Sequence, residues 1–128
     1  MKLRERMNAI QYFEDKLAFT AGPAEVNRML EQGEHVTIVD VRTPEVYRKG
    51  HVPGAINLPE DRWGSHDGMN KAGLNVVYCY NQQCHSATRA ALRFCRDGYR
   101  VMELEGGWKA WQEFGLHEEI GETMHKAA

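Results

Sequence analysis

Leu3, Met7, Ile10, Phe13 and Leu17 recur every three or four residues, the spacing that lines apolar side chains along one face of an α-helix. That pattern predicts an amphipathic first helix, with a short extended stretch near Leu17-Ala18-Phe19 after it. Thr20-Ala21-Gly22-Pro23 opens a second helix: Pro23 suits a first turn, where its missing N–H is no loss, and Gly33 suits the end. The periodicity then changes. His35-Val36-Thr37-Ile38-Val39-Asp40-Val41 is β-branched and nearly continuously apolar, as a strand buried on both faces must be. A short helix from Pro44 to Lys49, a turn over Gly50-His51-Val52-Pro53-Gly54 and a short strand Ala55-Ile56-Asn57-Leu58 follow, then a helical turn from Pro59 to Trp63. Asp67 to Gly73 reads as loop and Asn75-Val76-Val77-Tyr78-Cys79 as another strand. A polar loop, Tyr80 to His85, leads into a helix from about Ser86 to Asp97, ended by Gly98. Tyr99 to Leu104 is a last strand, and Gly106-Gly107 starts a helix through Phe114.

Strands alternating with helices at these spacings imply an α/β fold, with a central parallel sheet flanked by helices on both faces. In such sheets ligands sit beyond the carboxyl ends of the strands. Cys79 ends a predicted central strand, which makes it a candidate for chemistry; the competing reading is an inert buried thiol.

Length and charge narrow the field. A chain of 128 residues holds one compact domain with a core. A net charge of -2 gives no electrostatic basis for nucleic-acid binding, and no apolar run is long enough to span a bilayer. The N-terminus, charged and without an apolar h-region, does not read as a secretion signal, so a cytoplasmic location is expected. Cys79, Cys84 and Cys95 are too few for a disulfide framework and read as free thiols, with Cys95, beside Phe94 and Ala91, as core filler. The arginines 89, 93, 96 and 100 lie along one stripe, read mostly as a solvated helix face.

The segment Cys79-Tyr80-Asn81-Gln82-Gln83-Cys84-His85-Ser86-Ala87-Thr88-Arg89 carries the chemistry. A strand delivers a thiol to a loop, and the backbone N–H groups of the loop and of the next helix's first turn can point at an anion at its centre. A thiolate or a persulfide is such an anion. The helix N-terminus is expected to lower the pKa of Cys79 below the free value of about 8.5. The loop has no Asp or Glu but holds His85, with Arg89 near its end, which favours anionic sulfur donors. The implied mechanism is nucleophilic: the thiolate takes a sulfane sulfur, holds it as a persulfide and passes it on, needing no metal or organic cofactor. The cysteine pair and His85 invite a metal reading, but no second ligand pair at zinc-site spacing accompanies them; His35, His51, His66 and His117 are scattered.

Three stretches resemble the signatures of the rhodanese-like domain family. They are Val39-Asp40-Val41-Arg42-Thr43-Pro44-Glu45-Val46-Tyr47 with Gly50 to Pro59, Val76-Val77-Tyr78-Cys79, and Gly98-Tyr99-Arg100-Val101 with Leu104-Glu105-Gly106-Gly107-Trp108 and Trp111. The resemblance runs from about Ala24 to Gly115. It implies sulfur transfer of the thiosulfate-to-cyanide class, with the persulfide on Cys79. It implies a buried structural pair in Asp40 and Arg42, and a structural turn holding His51 and Pro53. The implied partners are a small anionic sulfur donor and a thiol or cyanide acceptor, with a protein acceptor or weak self-association left open.

One departure separates this chain from the commonest members, whose loop runs from the cysteine through four residues to an arginine. Here the interval from Cys79 to Gly98 looks about two residues longer and holds a second cysteine, as in a two-cysteine subset of the family. Taking Cys84 as the nucleophile would leave Ala90-Ala91 too close to it and cut a turn from the helix, so Cys79 is favoured. Cys84 then reads as a resolving thiol that attacks the Cys79 persulfide or sulfenic acid. The alternatives are a non-enzymatic redox or sulfur-sensing module and a phosphatase or arsenate reductase, the last disfavoured by the neutral Gln82-Gln83 and the lack of an arginine inside the loop. The expected organisation is a helical extension over residues 1–20, the domain over 21–116 and a tail over 117–128.

Overall fold

The computed structural model describes residues 1–122. In chain order its elements are α1 (Leu3–Phe19), β1 (Thr20–Ala21), α2 (Pro23–Glu31), β2 (Val36–Asp40), α3 (Pro44–Lys49), β3 (Ile56–Asn57), a 3-10 helix (Glu60–Ser65), β4 (Leu74–Tyr78), α4 (Ser86–Arg96), β5 (Arg100–Leu104) and α5 (Gly107–Glu113). The five strands form one parallel sheet in the order β1-β5-β4-β2-β3. The α/β class and the flanked parallel sheet therefore stand as expected.

The two faces of the sheet follow from the period of two in its strands. Ile38, Val76 and Tyr78 point to one side, where Val26 of α2, Tyr47 of α3, and Trp108 and Trp111 of α5 cover them. Val39, Val77 and Cys79 point to the other, against Trp63 of the 3-10 helix and Ala87, Ala90 and Phe94 of α4. Cys79 thus lies on the α4 side, while its neighbour Tyr78 faces the opposite layer.

Three expectations are corrected. Leu17-Ala18-Phe19 is the last turn of α1, not an extended stretch, and the strand that follows is only Thr20–Ala21. Leu, Ala and Phe are compatible with helix, and only hydrogen bonding to β5 makes Thr20 and Ala21 a strand. Cys95 is exposed rather than core filler. The buried residues of α4 are Ala87, Ala90 and Phe94, and one residue beyond Phe94 the helix has turned by about 100°. Arg100 opens β5 and so leaves the helical stripe to which the sequence assigned it.

Beyond α5 the chain stays on the domain. The Trp111 indole donates to the His117 carbonyl at 2.8 Å, and His51 and Glu119 exchange backbone hydrogen bonds at 2.9 Å in both directions. The rest of the expected tail, 123–128, lies outside the described residues. No helix among the described residues is long and apolar enough to cross a membrane.

Candidate active site

The loop from Cys79 to His85 begins where β4 ends, and α5 decides which way its peptides face. The Cys79 and Tyr80 carbonyls accept from the backbone N–H groups of Trp108 and Lys109 at 2.9 and 2.8 Å. In a trans peptide the carbonyl and the N–H point in opposite directions. Tying the Cys79 carbonyl to α5 therefore turns the Tyr80 N–H towards the sulfur atoms. That approach requires a residue without a side chain at Gly107: a Cβ there would stand 2.5 Å from the Cys79 carbonyl oxygen, at a φ of +62°. Gln82 adds a second tie, its Oε1 accepting from the Gly106 N–H at 2.7 Å.

Within the loop, the Asn81 carbonyl and its Oδ1 both accept from the Cys84 N–H, at 3.1 and 3.0 Å. The turn so made carries the Cys84 carbonyl back over the strand end, where the Cys79 thiol donates to it at 3.0 Å. The Ala87 and Tyr80 N–H groups favour a charge on the Cys79 sulfur, while the neighbouring Cys84 thiol opposes it. The Ser86 N–H and hydroxyl and the Tyr80 N–H favour a charge on the Cys84 sulfur. The amide cradle is present, and it serves two sulfurs.

The electrostatic expectation for Cys79 is overturned. Burial pushes its thiol up, and the neighbouring Cys84 thiol adds to this against the Ala87 and Tyr80 N–H groups, so its pKa is raised to about 12. Cys84 goes the other way: burial raises it, but hydrogen bonds from Cys79, Ser86 and Tyr80 outweigh that and leave it below the ordinary thiol range. Of the two, Cys84 is therefore the sulfur that gives up its proton first, and Cys79 the one that keeps it.

Both thiols face a cavity of about 580 Å³ whose other walls are Val41, Arg42, Thr43, Val46, Pro59, Glu60, Trp63, Tyr80 and Ser86. Cys79 forms the floor at 3% exposure, and Cys84 is half-buried nearer the mouth. Arg89 does not reach the sulfurs. Its guanidinium pairs with Glu60 and lies over the Trp63 ring at 5.7 Å, an ion pair at the outer rim. His85 and Gln83 are exposed, with His85 immediately before the first turn of α4. The loop residues thus divide: Asn81 and Gln82 shape the loop, Tyr80 and Ser86 line the cavity, and His85, Gln83 and Arg89 face outward.

Beneath the loop, on the other side of the sheet, lies a fully partnered polar cluster. The Arg42 Nε and Nη2 grip the Asp40 carboxylate at 3.0 and 2.6 Å, and Nη2 also donates to the Gly50 carbonyl at 2.7 Å. The Tyr78 hydroxyl donates to Asp40 at 2.6 Å and accepts from the Val52 N–H at 3.1 Å. Burial works against the Arg42 charge, but Asp40 outweighs it and holds the guanidinium above its ordinary pKa. His51 is buried with Nδ1 2.8 Å from the Tyr47 carbonyl, its ring stacked on Tyr47 at 3.8 Å. The cluster braces the turn from Gly50 to Gly54 and the ends of β2 and β4. The sequence did not flag Val41, Val46, Pro59, Glu60 and Trp63 as cavity walls: the first three stand inside a quoted signature without a site role, and Glu60 and Trp63 carry no motif.

A family model described as Rhodanese-like domain matches residues 22–114. A curated relative, the HTH-type transcriptional regulator Rv0324 of Mycobacterium tuberculosis, is 41% identical over 103 residues, covering 77% of this chain and 43% of the relative. This chain thus spans less than half the length of that protein. Among solved structures, the BH2092 protein of Bacillus halodurans superposes with a TM-score of 0.81 at 29% identity, over 90% of this chain and 86% of that one. A thiosulfate sulfurtransferase of Pseudomonas aeruginosa superposes with a TM-score of 0.69 at 21% identity, over 81% of this chain and 20% of that one, and shares the fold.

Proposed function

The chain belongs to the rhodanese-like domain family, and from that premise we propose that it is a sulfurtransferase, moving sulfane sulfur from a donor such as thiosulfate to a thiophilic acceptor through a persulfide on Cys79. The observation that carries this reading is the position of the Cys79 sulfur: on the cavity floor just past β4, with the Tyr80 and Ala87 N–H groups directed at it. Those donors suit a sulfur that bears negative charge both before and after it accepts a second sulfur atom.

The order in which the two thiols ionise calls for one step before attack. Once Cys84 has ionised, Cys79 passes its proton to that neighbouring sulfur and becomes the nucleophile. Its sulfur bonds to the outer sulfur of thiosulfate, the donor's S–S bond breaks, and sulfite leaves with the electron pair. The acceptor, a thiol or cyanide, then takes the outer sulfur and restores the thiol pair.

The test is intact-mass analysis after exposure to thiosulfate, a glutathione persulfide or a mercaptopyruvate donor. Cys84→Ser gains one sulfur atom and Cys79→Ser gains none. Uptake by Cys79→Ser with none by Cys84→Ser would move the persulfide to Cys84. A second reading, a sulfur-sensing module, draws on the regulator that is 41% identical to this chain; it predicts stable sulfur loading with negligible turnover for any acceptor.

A further inference from the structure

The cavity holds a second sulfur that the transfer of sulfur to an outside acceptor uses only to take up a proton. We propose that Cys84 is an internal acceptor for the Cys79 persulfide, so that the protein releases hydrogen sulfide and is left as a Cys79–Cys84 disulfide, which an external thiol must reduce before the next turnover. The inference rests on the sulfur-transfer reading above and adds its product and its co-substrate.

Three observations carry it. The two cysteines line the same cavity, and each thiol shifts the other's ionisation. The turn that brings them together is fixed on both sides: Asn81 holds the Cys84 N–H twice, and the Cys84 carbonyl lies 3.0 Å from the Cys79 sulfur. Cys84 also sits among its own donors, the Ser86 N–H and hydroxyl and the Tyr80 N–H, which stabilise a thiolate there. A cysteine placed merely to fill the cavity wall needs none of these.

The chemistry balances without an oxidant beyond the sulfur donor. The form of the pair that reacts holds one proton, lost first from Cys84 and kept by Cys79. Sulfur uptake from thiosulfate expels sulfite and leaves a Cys79 persulfide beside a Cys84 thiol. Cys84 gives its proton to the outer sulfur and attacks the inner one; the new bond joins Cys84 to Cys79, and the outer sulfur leaves as HS⁻ with the electron pair of the broken S–S bond. Two external thiols then reduce the disulfide and leave as their own disulfide. Over a cycle, thiosulfate and two thiols become sulfite, hydrogen sulfide and one disulfide. The proton that Cys79 surrenders on attack is the one its outer sulfur carries away.

The experiment uses the whole chain with Cys95→Ser, so that the exposed third thiol does not contribute. Reduced protein is freed of small thiols and mixed with thiosulfate. The expected result is a single burst of sulfide, one per chain at most, and an intact mass lower by two hydrogens, with peptide mapping locating the bond between Cys79 and Cys84. Repeated sulfide release follows only when an external thiol is added. In the Cys84→Ser counterpart the mass instead rises by one sulfur atom and sulfide stays at the buffer background until thiol is supplied. A parent protein that holds the extra sulfur stably, with both thiols otherwise intact, overturns the internal step and leaves the sulfurtransferase reading standing. Failure of both proteins to take up sulfur or release sulfide from any of the three donors overturns both.

Discussion

The carboxyl edge of the sheet and the first helix are the two extremes of this molecule. At the edge, Asp40, Arg42, Tyr78 and His51 are buried and each makes at least one hydrogen bond through its side chain. In α1 not one residue is buried, and the apolar positions that gave it its periodicity face solvent: Leu3, Met7, Ile10, Phe13 and Leu17. Its ties to the domain are the Lys16–Glu105 ion pair at 2.5 Å, the packing of Ala18 and Phe19 beside Val101 and Met102 of β5, and the chain continuity into β1. An ion pair that exposed is worth about 0–1 kcal/mol. An amphipathic period therefore predicts a helix in both places but does not say whether the apolar face has a partner. Burial, in contrast, makes every contact at the edge costly to break, and the expected effects of substitution fall steeply from one region to the other.

The largest contrast lies inside the edge itself. With its pKa raised to about 12, Cys79 is on the order of 10⁻⁵ thiolate at pH 7. Cys84, lowered from its ordinary value, is the more readily ionised sulfur of the two. Because only the thiolate is alkylated, iodoacetamide followed by peptide mapping should label Cys84 first near neutral pH. Labelling of Cys79 in the Cys84→Ser protein should keep rising with pH well above the ordinary thiol range, since burial still opposes its charge. Faster labelling of Cys79 than of Cys84 at pH 7 would reverse the charge assignment on which the proton transfer rests. The same shift bears on stability. A pKa raised on folding contributes stability that is present below the unfolded thiol's pKa and lost as pH climbs through about 12.

Next comes Arg42→Ala. It leaves the Asp40 carboxylate buried with only Tyr78 and a backbone N–H, and the Gly50 carbonyl without its guanidinium. Breaking a buried pair in this way costs about 3–5 kcal/mol, read as a lower urea midpoint with an unchanged slope. A loss below about 1 kcal/mol would put the pair on the scale of surface ion pairs and remove its role as the brace under the loop. Smaller again is Gly107→Ala. The new Cβ would meet the Cys79 carbonyl oxygen at 2.5 Å, and its φ of +62° disfavours any side chain. The backbone strain alone costs about 1–3 kcal/mol. Relief of the clash must move the Cys79 and Tyr80 carbonyls, so the initial rate of sulfur uptake should fall by more than the stability loss explains. Unchanged uptake would show that α5 does not set the direction of the loop amides.

How legible these regions were in the sequence follows the same division. The β-branched runs of β2 and β4 and the Pro44–Lys49 helix could be read locally, because continuous burial and a proline at a first helical turn leave their mark in neighbouring residues. Cys79 and Cys84 could be placed in one loop from their spacing. The direction of their pKa shifts could not, since it depends on burial and on which sulfur receives the Ser86 hydroxyl. Arg89 read as a cation for the donor because its partner Glu60 stands 29 residues earlier, on the 3-10 helix. The side chain of Cys95 was misplaced by the phase of one residue, and β1 by a two-residue pairing that only β5 reveals.

The smallest effects belong to α1. Phe13 and Leu17 are 59% and 81% exposed, so truncating either removes little area that folding had taken from water. Phe13→Ala and Leu17→Ala should each change the unfolding free energy by no more than about 0.5 kcal/mol. The replacement also carries the highest helix propensity of any residue, which offsets part of any loss. The check is a pair of urea titrations at low and high protein concentration, since anything that covered the stripe in a second copy would make the midpoint rise with concentration. Equal midpoints, with both variants within error of the parent, mean that α1 folds as a helix yet lends the domain almost no stability. A concentration-dependent midpoint lost in Phe13→Ala would mean that its apolar face is a buried surface after all, and the contrast with the carboxyl edge would shrink accordingly.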